Sequence, residues 1–173
     1  MSDEQWEAML AVHMTAPFRI LRAASGFIRD AAKKEAEAGL SKHRKVVNIS
    51  STSGVYGNAG QANYAAAKAG INGLTKAMAK EWGRYKVNVN SVAFGLIMTR
   101  LTEAPADGDA SIAIAGQQIK VGVNPNILKS VEQTIPLGRG GTPEEAAGAV
   151  YLFCIPESNY VSGQVLVCGG GRP

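Results

Sequence analysis

Three residues are spaced for proton chemistry at an oxygen atom: Ser51, Tyr64 and Lys68. Tyr64 and Lys68 stand four apart, so on a helix both side chains leave from one face. A free tyrosine titrates near about pH 10, too high for ready proton exchange at neutrality. An ammonium held beside a phenol favours the phenolate, which makes a tyrosine a workable acid for a carbonyl oxygen or a base for an alcohol. Ser51 supplies a second hydroxyl able to donate to the same oxygen. In a chain with five tyrosines, a Tyr-x-x-x-Lys match also arises by chance, as a surface tyrosine lying on a lysine stem.

Other chemistries are poorly served. No G-x-S-x-G elbow surrounds Ser51, and no acid is placed to orient a histidine. His13 and His43 fit no metal-ligand pair, and Cys154 and Cys168 lack the second pair that a zinc site requires. Both cysteines sit in apolar stretches and are expected to be buried free thiols. The cluster Lys33, Lys34, Lys42, His43, Arg44 and Lys45 accounts for much of the +4 charge. It has no interleaved aromatics to stack on bases, so it reads as a solvated helix end and loop, and no nucleic-acid partner is expected. No apolar run reaches the roughly 18 residues of a membrane span, and the acidic start MSDEQWEAML is unlike a secretion signal. A cytoplasmic chain with no membrane partner is the expectation.

The pattern of elements gives the three residues their places. Residues 2–38 read as helical, with Ser2 and Gln5 as a capping box, Pro17 as a kink and Gly39 as the stop. Lys45–Ser50 reads as a short buried strand, Ser51–Gly60 as a loop, and Gln61–Trp82 as a small-residue helix carrying Tyr64 and Lys68. Val87–Ala93 is a second strand. Residues 94–135 read as irregular, with short helical pieces. Thr142 caps a helix that starts with Pro143 and runs to about Cys154, and Gln164–Val167 is a last strand. Helix and strand alternate, which predicts one α/β domain over residues 1–173 with a parallel sheet. Three strands make a thin sheet whose first member shows an apolar edge. The expected architecture is therefore the C-terminal half of a doubly wound, Rossmann-like sheet with flanking helices.

The stretch VVNISSTSGVYGNAGQANYAAAKAGINGLTKAMAKEWGRYKVNVNSVAFGLIMTRL resembles the short-chain dehydrogenase/reductase family almost position by position. A serine thirteen residues before the tyrosine, the small-residue helix and the VNxVAxG turn all match, as does PLGRGGTPEEAAGAVYLFCIPESNYVSGQVLVCGGG. Within the family the chain is most similar to the 3-oxoacyl-carrier-protein reductase group. The resemblance implies an oxidoreductase that interconverts a ketone and a secondary alcohol with NADP or NAD. The small-molecule carbonyl substrate would be linked to acyl-carrier protein or coenzyme A, and residues 100–135 would form a substrate lid. It assigns Tyr64 as proton donor and acceptor, Lys68 to the tyrosine and the nicotinamide ribose, and Ser51 to the carbonyl. Gly95, the backbone of Ile97 and Thr99 would meet the nicotinamide end of the cofactor. Family members pack as tetramers through two long helices, here 2–38 and 61–82, so a homo-oligomer is implied.

Some positions depart from the family. His13 stands where Asn is usual. Pro17, four residues on, has no N–H for the carbonyl of His13, which would leave that carbonyl for a water in a proton relay whatever the side chain. His13 is thus either a relay member through its main chain or a histidine packed in a kinked helix. Phe94 replaces a proline and Cys168 an aspartate. The family's TGxxxGxG cofactor loop and NNAG segment do not occur in the chain, so cofactor binding by this chain alone is in question. The glycines at 138–141 read as a turn and cap, because Glu144 and Glu145 would repel a phosphate. The alternative to an active reductase is a truncated, inactive or partner-dependent chain serving as a structural subunit.

Overall fold

A computed structural model describes residues 1–99, 102, 111–114, 117–120 and 125–172. Its centre is a parallel sheet in the order β1-β2-β5, formed by Arg44–Ser51, Val87–Phe94 and Val165–Cys168. β1 and β2 pair along their full length, from Arg44 opposite Val87 to Ser51 opposite Phe94. Helix α1 (Asp3–Leu10) leads through a π-helical turn, Ala11–Thr15, into α2 (Ala16–Glu37). A short helix α3 (Ser53–Tyr56) follows β1, and α4 (Ala62–Trp82) connects β1 to β2. Helices α5 (Pro125–Gln133) and α6 (Pro143–Tyr151) precede β5.

Alternation along β2 divides the core between two faces, as the period of a strand requires. Val87 and Val89 pack with Leu21, Ile28 and Trp82, from α2 and α4. Val92 packs with Ala149 and Phe153, from α6 and the turn after it. The sheet thus lies between helices on both sides, as the element order predicted. The asparagines of the VNVNSVA strand tie the loop before β5 to the sheet. Asn90 donates to the Val161 carbonyl at 2.9 Å and accepts from the Gln164 N–H at 3.0 Å. Asn88 donates to the carbonyls of Asn159 and Val161.

Ser2 and Gln5 form the expected capping box, and Gly39 ends α2 at φ 70°. Several expectations need correction. The chain takes a wide π turn just before Pro17, where a kink was expected at the proline itself, and the helix continues past it. Ser51 is the last residue of β1, not the first of a loop, and residues 53–56 are helical. Within 94–135, Ser111–Ile114 (β3) and Gln117–Lys120 (β4) pair as an antiparallel hairpin where helical pieces were expected. The remaining parts of the expected lid, 100–101, 103–110, 115–116 and 121–124, lie outside the described residues. Cys154 is exposed, because α6 ends at Tyr151 and Phe153 takes the inward place in the turn that follows. Cys168 is only part-buried, and that burial pushes its thiol pKa up. Lysines and arginines of the basic segment are partly engaged: Arg44 forms a bidentate pair with Glu35 at 2.7 and 2.9 Å. Among the described residues no helix is long and apolar enough to cross a membrane.

Candidate active site

The end of β1 is fastened to α4 at Lys68. Ser50 donates its hydroxyl to the Lys68 carbonyl at 3.0 Å. Gly54 lies against the same backbone, so closely that a Cβ there would sit 2.5 Å from the Lys68 carbonyl carbon and 2.6 Å from its Cβ. Glycine is the only residue that permits this approach. Asn72 reinforces it by donating to the Gly54 carbonyl at 3.2 Å. Ser51, buried at the strand end, accepts the Ser53 N–H at 3.2 Å, which leaves its hydroxyl hydrogen for another oxygen.

Lys68 is 7% exposed. Its Nζ donates to the Ile49 carbonyl at 3.0 Å and lies 5.6 Å from the centroid of the Tyr64 ring. No carboxylate pairs with it among the described residues, and burial lowers its pKa from the ordinary 10.5. The nearest aromatic ring to this ammonium is that of Tyr64. The His13 ring meets the Tyr64 ring edge-on, with centroids 5.1 Å apart and planes at 89°. Burial, and secondly the Lys68 charge, lower the His13 pKa from 6.5, so the imidazole is neutral at physiological pH.

The structure thus brings Ser51, Tyr64, Lys68 and His13 to one corner. Sequence reasoning missed the residues that hold them there. Asn63 accepts the Tyr64 N–H at 2.8 Å and donates to the Gln5 carbonyl at 3.1 Å, joining α1 to α4 beside the tyrosine. Its signal was an amide residue at the start of a helix. Met14 lies against Gly70, where a Cβ would come within 2.6 Å of the sulfur. These contacts lock the π turn to α4.

Gly95, Ile97 and Thr99 sit on the segment leaving β2. Gly95 donates to the Cys168 carbonyl at 2.9 Å, and a Cβ on it would lie 2.9 Å from Gly169 Cα. Ile97 forms a parallel bridge with Gly141. Leu96 C=O and Met98 N–H make its two hydrogen bonds, at 3.0 and 2.8 Å, so the N–H and C=O of Ile97 itself face the other way. The Thr102 hydroxyl is shared between the Thr99 carbonyl at 2.9 Å and the Ile97 carbonyl at 3.2 Å, while the Ile97 N–H has no partner among the described residues. Thr102 Oγ1 also accepts the Thr99 N–H at 2.7 Å. The segment is a shaped turn in which, among the described residues, the Leu96 and Ile97 N–H groups have no acceptor. Among the described residues no three His, Cys, Asp or Glu side chains cluster as metal ligands.

Comparison with known proteins bears on this corner. The family described as Enoyl-(Acyl carrier protein) reductase matches residues 1–172. The chain is 36% identical over 171 residues to the 3-oxoacyl-(acyl-carrier-protein) reductase FabG of Vibrio cholerae, covering 99% of this chain and 59% of that protein. It is 34% identical over 171 residues to FabG of Thermotoga maritima, with 99% and 58% covered. A solved short chain dehydrogenase from Bacillus anthracis superposes with a TM-score of 0.72 at 29% identity, covering 99% of this chain and 58% of that one. A 4-hydroxyisoleucine dehydrogenase complexed with NADH gives a TM-score of 0.73 at 26% identity, with 98% and 60% covered. The chain therefore spans somewhat less than two thirds of the length of the relatives it matches.

Proposed function

Because the chain belongs to the short-chain dehydrogenase/reductase family, we propose that it takes part in reducing a ketone to a secondary alcohol, and the reverse, with Tyr64 moving the proton. The observation that carries this reading is the buried Lys68 ammonium, without a carboxylate partner among the described residues, 5.6 Å from the centroid of the Tyr64 ring. Ser51 and Tyr64 donate to the substrate oxygen and hold it. As negative charge develops there, Tyr64 gives up its proton, and Lys68 stabilises the phenolate that remains. The main-chain carbonyl of His13, which Pro17 cannot satisfy from four residues on, belongs to the path that returns a proton through Lys68. Such a site works on oxygen, which favours a ketone over an isolated carbon–carbon double bond.

The residues present fit the nicotinamide end of an NAD(P) cofactor. The leftover Ile97 N–H is a donor for a carboxamide, Lys68 is a donor for ribose hydroxyls, Thr99 stands two residues beyond Ile97, and Gly95 keeps a side chain out of the turn. When bound, the cofactor supplies or accepts the hydride. Both NAD and NADP suit these residues. In view of the 3-oxoacyl reductase relatives, the substrate is a 3-oxoacyl thioester on acyl-carrier protein or coenzyme A, in the cytoplasm. The segment 100–135, with the β3–β4 hairpin and α5, serves as the lid of a single domain. Self-association through α1–α2 and α4 is favoured by Val12, Ile20 and Phe27, apolar residues exposed along the first helix.

A second reading, a chain that needs a partner polypeptide, is favoured by β1. It is an edge strand of the sheet, and Ile49 in its middle is 45% exposed. Titration of the purified chain with NADPH, followed by fluorescence, separates the two. Saturable binding and NADPH consumption with a 3-oxoacyl thioester, and none with the enoyl thioester, is the expected result for the reductase. Absence of binding removes the claim that this chain acts unaided.

A further inference from the structure

The turn Gly138–Thr142 runs alongside Ile97 and is held by one ion pair. Arg139 Nη1 donates to Glu145 Oε2 at 2.8 Å, and Nη2 to Oε1 at 2.6 Å. Glu145 Oε2 also accepts the Thr142 N–H at 2.8 Å, and Arg139 Nη1 reaches the Gly140 carbonyl at 3.0 Å. These bonds hold the Glu145 carboxyl down at a pKa of about 2.

Its main-chain bonds among the described residues are few: Gly138 N–H to the Ile135 carbonyl at 2.8 Å, and those of Gly141. Gly140 and Gly141 are bare because a Cβ would meet Met98 Sδ at 2.9 Å and Ile97 Cδ1 at 3.0 Å. Consecutive glycines are conformationally loose. Behind them lies a cavity of about 210 Å3 bordered by Leu96, Leu137, Cys168 and Gly170, so packing does not support the turn on that side. Yet Gly141 carries both hydrogen bonds that fix Leu96 and Met98 around Ile97.

We infer that Arg139 and Glu145 are positioning residues: their ion pair stiffens the glycine turn, and through Gly141 it aims the free Ile97 N–H at the cofactor. The inference rests on the reading of Gly95–Thr99 as the nicotinamide-facing turn. It assigns a role in the site to a pair that touches neither substrate nor cofactor and is about half exposed, 54% and 47% for the two side chains. An ordinary exposed pair contributes little to stability, so its loss should leave the fold intact.

Two substitutions separate this role from helix capping. Glu145→Gln keeps a capping-box residue for Thr142 but removes the charge. Arg139→Gln removes the pair from the other side and leaves the cap untouched. Hydrogen exchange of the full chain should show the Met98 and Gly141 amides exchanging about tenfold faster in either variant, and no faster in the double variant, because one charge-assisted contact is lost in all three. Amides of Val89 and Asn90 in β2 should be unchanged. Unaltered exchange at Met98 and Gly141, or a uniform rise across β2, overturns the inference. A second arm adds NADH to the unmodified chain. Added protection of the Ile97 and Met98 amides, weakened in both variants, supports the link to the cofactor. No protection in the unmodified chain, with the exchange pattern above intact, overturns the cofactor reading of the turn instead and leaves only its mechanical coupling.

Discussion

His13 stands edge-on to Tyr64, ring centroids 5.1 Å apart, and Lys68 Nζ lies 5.6 Å from the centroid of the same ring. The tyrosine therefore has both a neutral imidazole and a buried ammonium as neighbours. Each of these contacts has a measurable consequence.

Removing the phenolic proton should stop the reaction without unmaking the site. Tyr64→Phe keeps the ring that packs on His13 and Lys68. Turnover of a 3-oxoacyl thioester by an active preparation is expected to fall by about 10²–10⁴-fold, the usual contribution of a positioned acid. Steady-state NADPH consumption checks this. Retained turnover would rule out Tyr64 as the proton carrier.

Lys68 gives activity and stability opposite responses to alkali. Burial lowers its pKa from 10.5, so the ammonium is lost at a lower pH in the folded chain than in the unfolded one. Between those values the unfolded chain binds more protons, and stability from this group rises with pH. Activity, which needs the cation beside Tyr64, falls over the same range. Lys68→Arg should shift the alkaline limb of the rate profile upward, because a guanidinium keeps its charge there. Rate and urea midpoint measured against pH test both halves.

His13 should govern an acid limb of stability. Its pKa is lowered from 6.5 by burial and then by Lys68. The unfolded chain takes up this proton first as pH falls. Stability from the group is complete above about 6.5 and is lost progressively down to the folded value, below which the loss stops. His13→Asn should flatten the fall of the urea midpoint below about pH 6.5 and change turnover by less than about tenfold, since the main-chain carbonyl stays. A large loss of turnover would mean that the imidazole itself participates.

Gly54→Ala tests how closely the strand end must approach α4. The new methyl would lie 2.5 Å from backbone, which cannot yield as a side-chain tip can. A cost of about 1–3 kcal/mol in chemical denaturation is expected, with lower turnover from displacement of Ser51. An unchanged denaturation midpoint would show that α3 has room to move.

Much of this was legible in the residues themselves. Ser2 with Gln5, and Thr142 with Pro143 and Glu145, announced their helices because capping is local chemistry. Tyr64 and Lys68 were legible because four residues make about one helical turn. The β3–β4 hairpin was not, since Ser111–Ile114 and Gln117–Lys120 are short and carry no Asn-Gly or Asp-Gly signal between them. Cys154 was misplaced because an apolar run does not say which residue faces inward once its helix has ended. The roles of Gly54, Asn63 and Arg139 depend on partners 6 to 58 residues away, so no local pattern exposes them.

The π turn at Ala11–Thr15 sets a phase. Each residue advances an α-helix by about 100°, so an extra residue in one turn rotates everything after it relative to everything before. α1 can thus meet α4 through Gln5 and Asn63 while α2 meets the sheet through Leu21 and Ile28, in one continuous helix. A single-residue deletion there would restore regular winding and turn the two halves out of step. Length in this short stretch is therefore constrained as well as composition: the turn should accept no change in the number of residues.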